Sequence, residues 1–492
     1  AARGIAGIGE DSLPLSDCED QPCWEPEASR RKTQEQMEEY RMKKTDMLQG
    51  NPGKSLLIFA MPMILGNLFQ QFYNMTDSLI VGRFVGEDAL AAVGASYSLT
   101  TVFIMIAIGG GMGASVLTSQ YLGAGQHGKM KTSVYTALIT FLILSILLTV
   151  FGLAMNPAIL RALNTPENIF DDAVLYLQIY FMGLPFLFMY NILSSVFNAL
   201  GESKIPLFLL IFSSILNVIL DLFAVISLHM GVAGVAIATV FAQGISAVIS
   251  FCILLGRLRR YPAEPGERIS LFDRGMLLQG TKIAVPSIVQ QSIVSIGMLL
   301  VQSVVNGFGS SVLAGYSAAG RIESICIVPM IATGNAVSTF TAQNLGAGRP
   351  DRVKQGYRSS YGLILFFAVL ICVILNLFHQ GIISAFVDAQ SGAKAFDTGN
   401  RYVTFLSWFF CLIGFKAITD GVLRGAGDVT VYMIANLVNL AIRVSAANLL
   451  APVWGVQAVW YAVPMGWGAN YLISFCWYLT GRWSRKRLIK KS

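Results

Sequence analysis

The sequence predicts an all-α membrane protein whose twelve transmembrane helices form two six-helix lobes related by pseudo-two-fold symmetry. Three observations indicate this fold class: the apolar composition, the long charge-free stretches and an internal duplication. Hydrophobic residues make up 54% of the chain and charged residues only 13%, against roughly 25% charged residues in soluble domains. Residues 132–160 and 283–320 contain no charged residue, and each stretch exceeds the roughly 20 residues that a spanning helix needs.

The duplication is most visible in the heptapeptide QYLGAGQ, which begins at Gln120 and returns 223 residues later as QNLGAGR at Gln343. Three further pairs recur at nearly the same offset: Pro62 with Pro286, Gly231-Val232 with Gly455-Val456, and Asn217-x3-Asp221 with Asn439-x3-Arg443. An even number of helices in each copy places both copies the same way up, around an axis along the membrane normal. Duplicated membrane units of this kind are typical of transporters.

Apolar runs separated by charged or Gly/Pro-rich breaks give the helix positions. The twelve helices should begin near Ser55, Ala89, Lys131, Asp172, Pro206, Val232, Val285, Val312, Gly356, Asn400, Val429 and Val456. The corresponding domains are a flexible cytoplasmic tail at 1–54, a first lobe at 55–256, a cytoplasmic linker at 257–281, a second lobe at 282–480 and a basic tail at 481–492.

The distribution of basic residues predicts the orientation in the membrane. The loops after helices 2, 4, 6, 8 and 10 and the C-terminal tail hold 20 of the 35 Lys and Arg, whereas the opposite loops hold four. Because positive residues stay on the cytoplasmic side, both termini should be cytoplasmic. We expect a multi-pass protein of the cell membrane, which is the inner membrane in a Gram-negative cell. The net charge of +7 is then an orientation signal, and no nucleic-acid partner is expected.

Two isolated acids mark the first lobe. Asp77 is the only acidic residue of the first predicted helix, and Asp221 is the only charged residue of the fifth and sixth. An ionised side chain at mid-membrane costs about 2.5 to 3.5 kcal/mol on insertion scales, so such residues tend to be paired or functional. Neither acid recurs in the second copy, where Arg443 stands at the position of Asp221. A purely architectural acid should tend to recur, so the sequence favours an ion site in the first lobe.

Amides and a hydroxyl accompany the two acids. Asn67, Gln70 and Asn74 share one helix face with Asp77, Asn217 lies four residues before Asp221, Asn191 and Asn198 lie on helix 4, and Thr239 lies on helix 6. A buried carboxyl group can exchange protons, and two carboxyl groups with amides can instead hold a sodium ion. The alternative for the amides is that they only join helices by hydrogen bonds. No other metal site is predicted.

Other charges in the predicted helices lie in the second lobe. Lys416, Asp420 and Arg424 are spaced four residues apart, which predicts that they neutralise one another along helix 10. Arg443 either pairs with an acid such as Glu323 or binds an anionic group of the cargo. The chain has no nucleotide-binding loop, no HExxH and no GxSxG sequence. We therefore expect neither an enzyme nor an ATP-driven pump.

Seven segments in order carry a family resemblance: PMILGNLFQQFYNMTDSLIVGRFVG, SQYLGAGQ, LNVILDLF, GVAGVAIATVFAQ, AAGRIES, AQNLGAGR and GVLRGAGD. From about Gly50 to Lys491 the chain resembles the multidrug and toxic compound extrusion (MATE) family of the MOP superfamily. The resemblance implies an antiporter, expected to be monomeric, whose two lobes form a V around a cavity that opens alternately to each side. Organic cations and drugs are the usual cargo of this family.

Within that family the chain resembles the DinF-like branch, whose proton or cation site lies in the first lobe. Carried over residue by residue, the site falls on Asp77, Asn191, Asn217, Asp221 and Thr239, and we expect Gln70, Asn74 and Asn198 to line the cargo cavity. NorM-like members carry acids on helices 7 and 10 instead. Helix 7 has no acid here, although helix 10 has Asp420, and this departure favours the DinF-like assignment.

The resulting prediction is a multidrug efflux antiporter that exports amphipathic, mostly cationic small molecules in exchange for protons or sodium ions. No cofactor is expected beyond the coupling ion. The alternative is a flippase for a lipid-linked precursor, which shares the superfamily architecture but would need cationic residues around a diphosphate group. A scaffold or receptor would leave the two isolated acids unexplained.

Overall fold

The computed structural model describes residues 47–263, 267–387 and 392–485. Of the predicted tails at 1–54 and 481–492, residues 1–46 and 486–492 lie outside this part. The first lobe consists of seven helical segments: α1 Pro52–Ile80, α2 Glu87–Gly123, α3 His127–Ala162, α4 Glu167–Met182, α5 Leu184–Ala199, α6 Lys204–Leu222 and α7 Gly231–Leu258. Two π-helical turns, Val81–Val85 and Phe223–Ser227, extend α1 and α6.

The second lobe repeats this pattern with one additional break. Its segments are α8 Arg274–Asn306, α9 Ser310–Cys326, α10 Val328–Gly346, α11 Pro350–Ser384, α12 Ala393–Ser407, α13 Phe410–Gly425, α14 Val429–Trp454 and α15 Gln457–Leu479, followed by a 3-10 turn at Arg482–Ser484.

These segments make six membrane spans in each lobe. Within the described residues, nine helical stretches are long and apolar enough to cross a membrane, one of which joins α9 and α10, and two bent pairs add two more spans. The pairs are α4 with α5, bent by 50°, and α12 with α13, bent by 53°. Helix α15 has 23 residues but carries several Trp, Tyr and Asn residues, which lower its hydropathy. With α15 as the last span, the predicted twelve-helix, two-lobe fold is confirmed.

The first bend has a local cause. Gly183 ends α4, and Pro185 occupies the first turn of α5. Proline has no backbone N–H, so it interrupts helical hydrogen bonding where it stands and is tolerated in a first turn. Residues 167–199 therefore form two helices, α4 and α5, with a bend of 50° between them.

The lobes meet at one end of the bundle, which we call the LGAG end after the loops at residues 122–125 and 345–348. Helix α2 packs along α8 and α10, and α1 packs along α10 and α11. The close approach depends on glycines: Gly109 lies against the backbone of Ile288, and Gly113 against that of Gly280, with no room for a Cβ atom. In contrast, α9 packs chiefly on α12 of its own lobe.

Helix α8 begins at Arg274, eleven residues before the predicted start at Val285. Its first turns precede the long apolar run from which the start was predicted, and other contacts stabilise them. Asp273 caps the helix, its Oδ1 accepting a hydrogen bond from the Met276 N–H at 2.7 Å. Met276 is 9% exposed and belongs to the apolar core of the first lobe. The start of the seventh span therefore contains charged and Gly residues around a short apolar run, and it is fixed by a cap and by contacts with the other lobe.

Replacing Asp273 with Ala is expected to lower the free energy of unfolding by about 1 kcal/mol, because the Met276 N–H loses its side-chain acceptor. Thermal unfolding of purified protein in detergent measures the loss. Asp273→Asn is the matched control, since Asn caps helices about as well as Asp. Equal unfolding temperatures for Asp273→Ala and the unmodified chain would contradict the role of this cap.

Candidate functional site

Asp77 and Asp221 lie together inside the first lobe. Asp77 is on the last turn of α1 and Asp221 on the last turn of α6, and the two carboxyl groups are within hydrogen-bonding range of each other. Asp221 is 0% exposed. Asp77 Oδ1 and Asp221 Oδ1 are both buried and accept no hydrogen bond from the described residues. Two carboxyl groups this close do not both stay charged without a proton or a cation between them.

Asn217 and Thr239 complete the hydrogen-bonded group. With its amide nitrogen turned toward the acid, Asn217 donates to Asp221 Oδ2 at 2.8 Å and to Tyr73 Oη at 3.2 Å. Its oxygen then accepts from both the hydroxyl and the backbone N–H of Thr239, each at 3.2 Å. The four-residue spacing on α6 places Asn217 and Asp221 on the same buried face, directed at α7. The structure thus brings together Asp77, Asn217, Asp221 and Thr239 from three helices.

An apolar cluster lies beside this group, toward the end opposite the LGAG end. It consists of Val81, Ala89, Val225, Val232 and Val235, with Val85, Val93 and Tyr176 packed against it. The π-helical turns that follow the two acids contribute Val81 and Val225 and contact each other. Single π turns inside helices occur often at functional sites. These apolar side chains lie between the carboxyl groups and the nearest end of the lobe.

The remaining predicted residues lie outside the hydrogen-bonded group. The Asn191 amide donates to the Leu187 carbonyl of its own helix at 2.8 Å. Gln70 Nε2 donates to Asn74 Oδ1 at 3.1 Å, which agrees with their predicted shared face on α1. Asn198 Oδ1 is buried and accepts no hydrogen bond from the described residues. Their roles in ion or cargo binding remain predictions.

Two tyrosines of the site are absent from the sequence-based prediction. Tyr73 accepts the hydrogen bond of Asn217, and Tyr176 of α4 lies close enough to both carboxyl groups to interact with them electrostatically. Tyr73 precedes Asp77 by four residues on α1, so helical spacing alone could have identified it. Tyr176 has no such signal, because only the packing of α4 against α2 and α7 brings it to the acids.

If the two acids bind a coupling ion, as proposed below, replacing Tyr73 with Phe is expected to weaken that binding about fivefold, because one hydrogen bond of roughly 1 kcal/mol to Asn217 is lost. The ion concentration that gives half-maximal efflux measures the change. Tyr97→Phe is the control, since Tyr97 is 65% exposed. An unchanged half-maximal concentration in Tyr73→Phe would show that Tyr73 does not hold Asn217 in its binding orientation.

The charges of the second lobe are arranged differently. Lys416 Nζ lies 3.1 Å from Asp420 Oδ2, so the predicted pairing is confirmed for these two. It is wrong for Arg424, which instead donates to Asn335 Oδ1 at 2.7 Å and to Ser338 Oγ at 3.2 Å. The reason is that Asp420 is already bound by Lys416 and by the Ser474 hydroxyl at 2.7 Å.

Arg443 lies near Glu323 without a direct ion pair. Glu323 Oε2 accepts a hydrogen bond from Tyr402 Oη at 2.7 Å, and Arg443 is near enough to interact with it electrostatically. The second lobe therefore places a fixed guanidinium group where the first lobe places Asp221. The duplicated helices have the same architecture, but among the described residues the first copy has two neighbouring acids without a basic partner, whereas Arg443 lies near Glu323 in the second.

Reciprocal hydrogen bonds close the LGAG end. Gln120 of α2 donates to the Gly425 carbonyl at 3.1 Å, and Gln343 of α10 donates to the Ala199 carbonyl at 2.8 Å. Each bond joins one lobe to the other, and each begins at the same position of the duplicated heptapeptide. Gly123 lies against the Gln343 carbonyl and Gly346 against the Gln120 carbonyl, so neither glycine has space for a Cβ atom. These contacts of Gln120, Gly123, Gln343 and Gly346, which we call the LGAG gate, join the two lobes at this end.

Comparison with known proteins gives a consistent result over nearly the whole chain. The family model described as MatE matches residues 62–223 and again 286–449, which are the two copies of the duplication. A probable multidrug resistance protein, YpnP of Bacillus subtilis (strain 168), is 30% identical over 452 residues, which cover 91% of this chain and 99% of that protein. A FAD transporter of Shewanella oneidensis is 25% identical over 448 residues, covering 89% and 96%.

Among solved structures, an outward-facing multidrug resistance MATE family transporter of the MOP superfamily superimposes with a TM-score of 0.83 at 23% identity. The match covers 90% of this chain and 98% of that one. At this level of identity the comparison establishes the fold, and the site has to be argued from the residues above.

Proposed function

Because this chain belongs to the MatE family of membrane transporters, we propose that it is a multidrug efflux antiporter of the DinF-like branch. It exports amphipathic, mostly cationic small molecules in exchange for protons or sodium ions. The observation that carries this proposal is the buried pair Asp77 and Asp221, which has no basic partner among the described residues. The names of the relatives favour drug export over the lipid-flippase alternative.

The proposed ion site consists of Asp77, Asn217, Asp221 and Thr239. A proton on one carboxyl group, or a sodium ion among the oxygens of this group, neutralises the pair and allows it to stay buried. Without the ion, two adjacent carboxylates repel each other and favour an arrangement of α1 and α6 in which they are separated or hydrated. The ion therefore changes the relative free energies of two helix packings, which is what coupling to a gradient requires. Asn191 is proposed to border this site from α5.

We propose that the chain lies in the cell membrane with its LGAG end facing the cytoplasm. The basic loops after spans 2, 4, 6, 8 and 10 of the twelve favour this direction, and both termini are then cytoplasmic. We propose lobes at 55–256 and 282–480, connected by a cytoplasmic linker, and a monomeric transporter. The hydrogen bonds of the LGAG gate support the proposal that this conformation is outward-open. Gln70, Asn74 and Asn198 are proposed to contact cargo in the cleft.

Transport by purified protein in liposomes tests the proposal. A cationic dye should move against its own concentration gradient when only a proton gradient or only a sodium gradient is imposed, and the two arms identify the ion. Flavin adenine dinucleotide serves as a second cargo, because one relative carries a FAD transporter name. Absence of dye movement under both gradients, with flavin or lipid movement instead, would contradict export of cationic drugs.

A further inference from the structure

The helix that carries Asp77 begins on the opposite lobe. Residues 47–50, which we call the first strap, precede α1 and lie on α10 and α11. Met47 is 1% exposed and belongs to the apolar core of the second lobe, together with Phe59 and Ile64 of α1. Helix α1 thus has its start in the second lobe and its last turns in the first.

Hydrogen bonds to the backbone hold the first strap in place. Arg352 donates to the carbonyl groups of Met47 at 3.3 Å, Gln49 at 2.6 Å and Gly50 at 2.9 Å. Arg349 donates to the Leu48 carbonyl at 2.8 Å, and Asn344 to that of Met47 at 3.0 Å. Every carbonyl group of the strap is bound by a side chain of the second lobe. Because the acceptors are backbone atoms, the attachment fixes the path of the chain.

A second strap, residues 267–273, makes the reciprocal attachment. Both carboxylate oxygens of Glu267 accept hydrogen bonds from the first turn of α3, from the N–H groups of Gly128 at 2.8 Å and Lys129 at 3.2 Å. The Ser270 N–H donates to Thr132 Oγ1 at 3.1 Å, and the Asp273 N–H donates to Thr136 Oγ1 at 3.0 Å. Helix α8 therefore starts on the first lobe and continues into the second.

The two straps differ in what their helices carry. Helix α1 ends at the ion site, about 38 Å from its start by the rise of 1.5 Å per residue, and Pro62 is the one proline inside it. Helix α8 has no acidic residue. Helix α1 therefore connects the acid Asp77 with a point attached to the second lobe, whereas α8 connects the lobes without carrying an acid.

We propose that Arg352, supported by Arg349 and Asn344, is a positioning residue for coupling: it makes the second lobe, and with it the LGAG gate, follow the ion state of Asp77 and Asp221. The inference rests on the proposed ion exchange at these acids. An anchored α1 transfers force between the lobes, whereas an α1 with a free start would respond to the ion by sliding over α10 and α11 and leave the gate unchanged.

The test reads the gate and the ion site separately. Ala342 is fully buried in a small cluster with Val116, Ile283 and Val429, which joins both lobes beside the LGAG gate. In a cysteine-free background, the labelling rate of Ala342→Cys by a maleimide reports opening of the gate. It is measured in liposomes at saturating and at minimal proton or sodium concentration, and ion binding is measured independently as protons released or sodium bound by the purified protein.

Arg352→Gln is expected to bind the ion as the unmodified chain does, while the labelling rate loses its ion dependence. Lys354→Gln, an exposed cation on the same helix turn, should retain that dependence. Glu267→Ala, which removes two of the four hydrogen bonds described for the second strap, should also retain it. Full ion dependence in Arg352→Gln, or its equal loss in Glu267→Ala, would overturn the proposal.

A milder variant serves if Arg352→Gln does not fold. Arg349→Gln removes one of the five hydrogen bonds on the first strap, and its ion dependence should be smaller than that of the unmodified chain; an unchanged dependence would contradict the role of the strap. If the unmodified chain shows no ion binding, the proposed function fails, and this result is distinguishable from a chain that binds the ion without opening the gate.

Discussion

Asp221→Asn and Asp77→Asn are each expected to reduce ion-driven efflux of a cationic dye to the background of cells that lack the transporter. The amide has nearly the size of the carboxyl group, so the side chain introduced by Asp221→Asn can keep a hydrogen bond to Asn217. It cannot release a proton or balance the charge of a sodium ion, and the remaining single acid no longer repels a neighbour. The proton or sodium gradient can then no longer drive efflux through ion binding at this pair.

Efflux from cells and uptake into inverted vesicles measure this loss, and the yield of monodisperse protein in detergent separates it from misfolding. Asp171→Asn is the matched control, because Asp171 is an exposed acid of α4 in the same lobe. Full gradient-driven transport by both Asp77→Asn and Asp221→Asn would show that coupling resides elsewhere in the chain.

The second large effect is expected at the LGAG gate. In Gly123→Ala or Gly346→Ala the new methyl group occupies the space of the facing Gln343 or Gln120 carbonyl, so the lobes cannot close at this end without strain. Overpacking of this kind costs about 1–3 kcal/mol, which corresponds to a shift of roughly 5- to 150-fold toward the open gate. Efflux should fall because the outward-open state becomes scarce.

The labelling rate of Ala342→Cys measures the opening directly and should rise in both glycine variants. Gly280→Ala is the control, since a Cβ atom at Gly280 would meet no atom within 4 Å. Equal labelling of all three variants and of the unmodified chain would mean that the LGAG contacts do not form the gate.

The sequence alone leads to the main residues of the proposed ion site because they depend on local spacing and on rare charges. Asp77 and Asp221 stand out as isolated acids in apolar helices, and the four-residue step from Asn217 to Asp221 fixes their common face. The twelve helices follow from the apolar runs and the duplication. Each of these inferences uses only information about residues close together in the sequence or about the period of an α-helix.

Other features depend on contacts between distant residues and could not be obtained in this way. The bonds from Arg352 to residues 47–50 join positions about three hundred residues apart, and nothing in the local sequence of α11 marks Arg352 as different from Lys354. The early start of α8 was missed because its first turns contain charged and Gly residues around a short apolar run and are stabilised by the other lobe. Arg424 was assigned to Asp420 because helical spacing permits the pair, although α10 offers Arg424 other partners.

The relation between the two repeats explains why one lobe can respond to an ion and the other need not. Arg443 supplies a permanent positive charge beside Glu323, so the second lobe has no comparable need for an exchangeable cation. The first lobe keeps two carboxyl groups and no base at the corresponding place. Duplication thus provides two similar bundles that differ in these few charged residues, and the proposed ion dependence falls on the copy with the two acids.

The most direct measurement is the release of ions when cargo binds to the purified protein. In weakly buffered detergent solution, saturating cationic dye should release protons from the loaded protein, or displace bound sodium when sodium is the coupling ion. Asp221→Asn should release neither, while Asp171→Asn behaves as the unmodified chain. Ion release from Asp221→Asn equal to that of the unmodified chain would contradict the claim that the buried carboxyl pair holds the coupling ion.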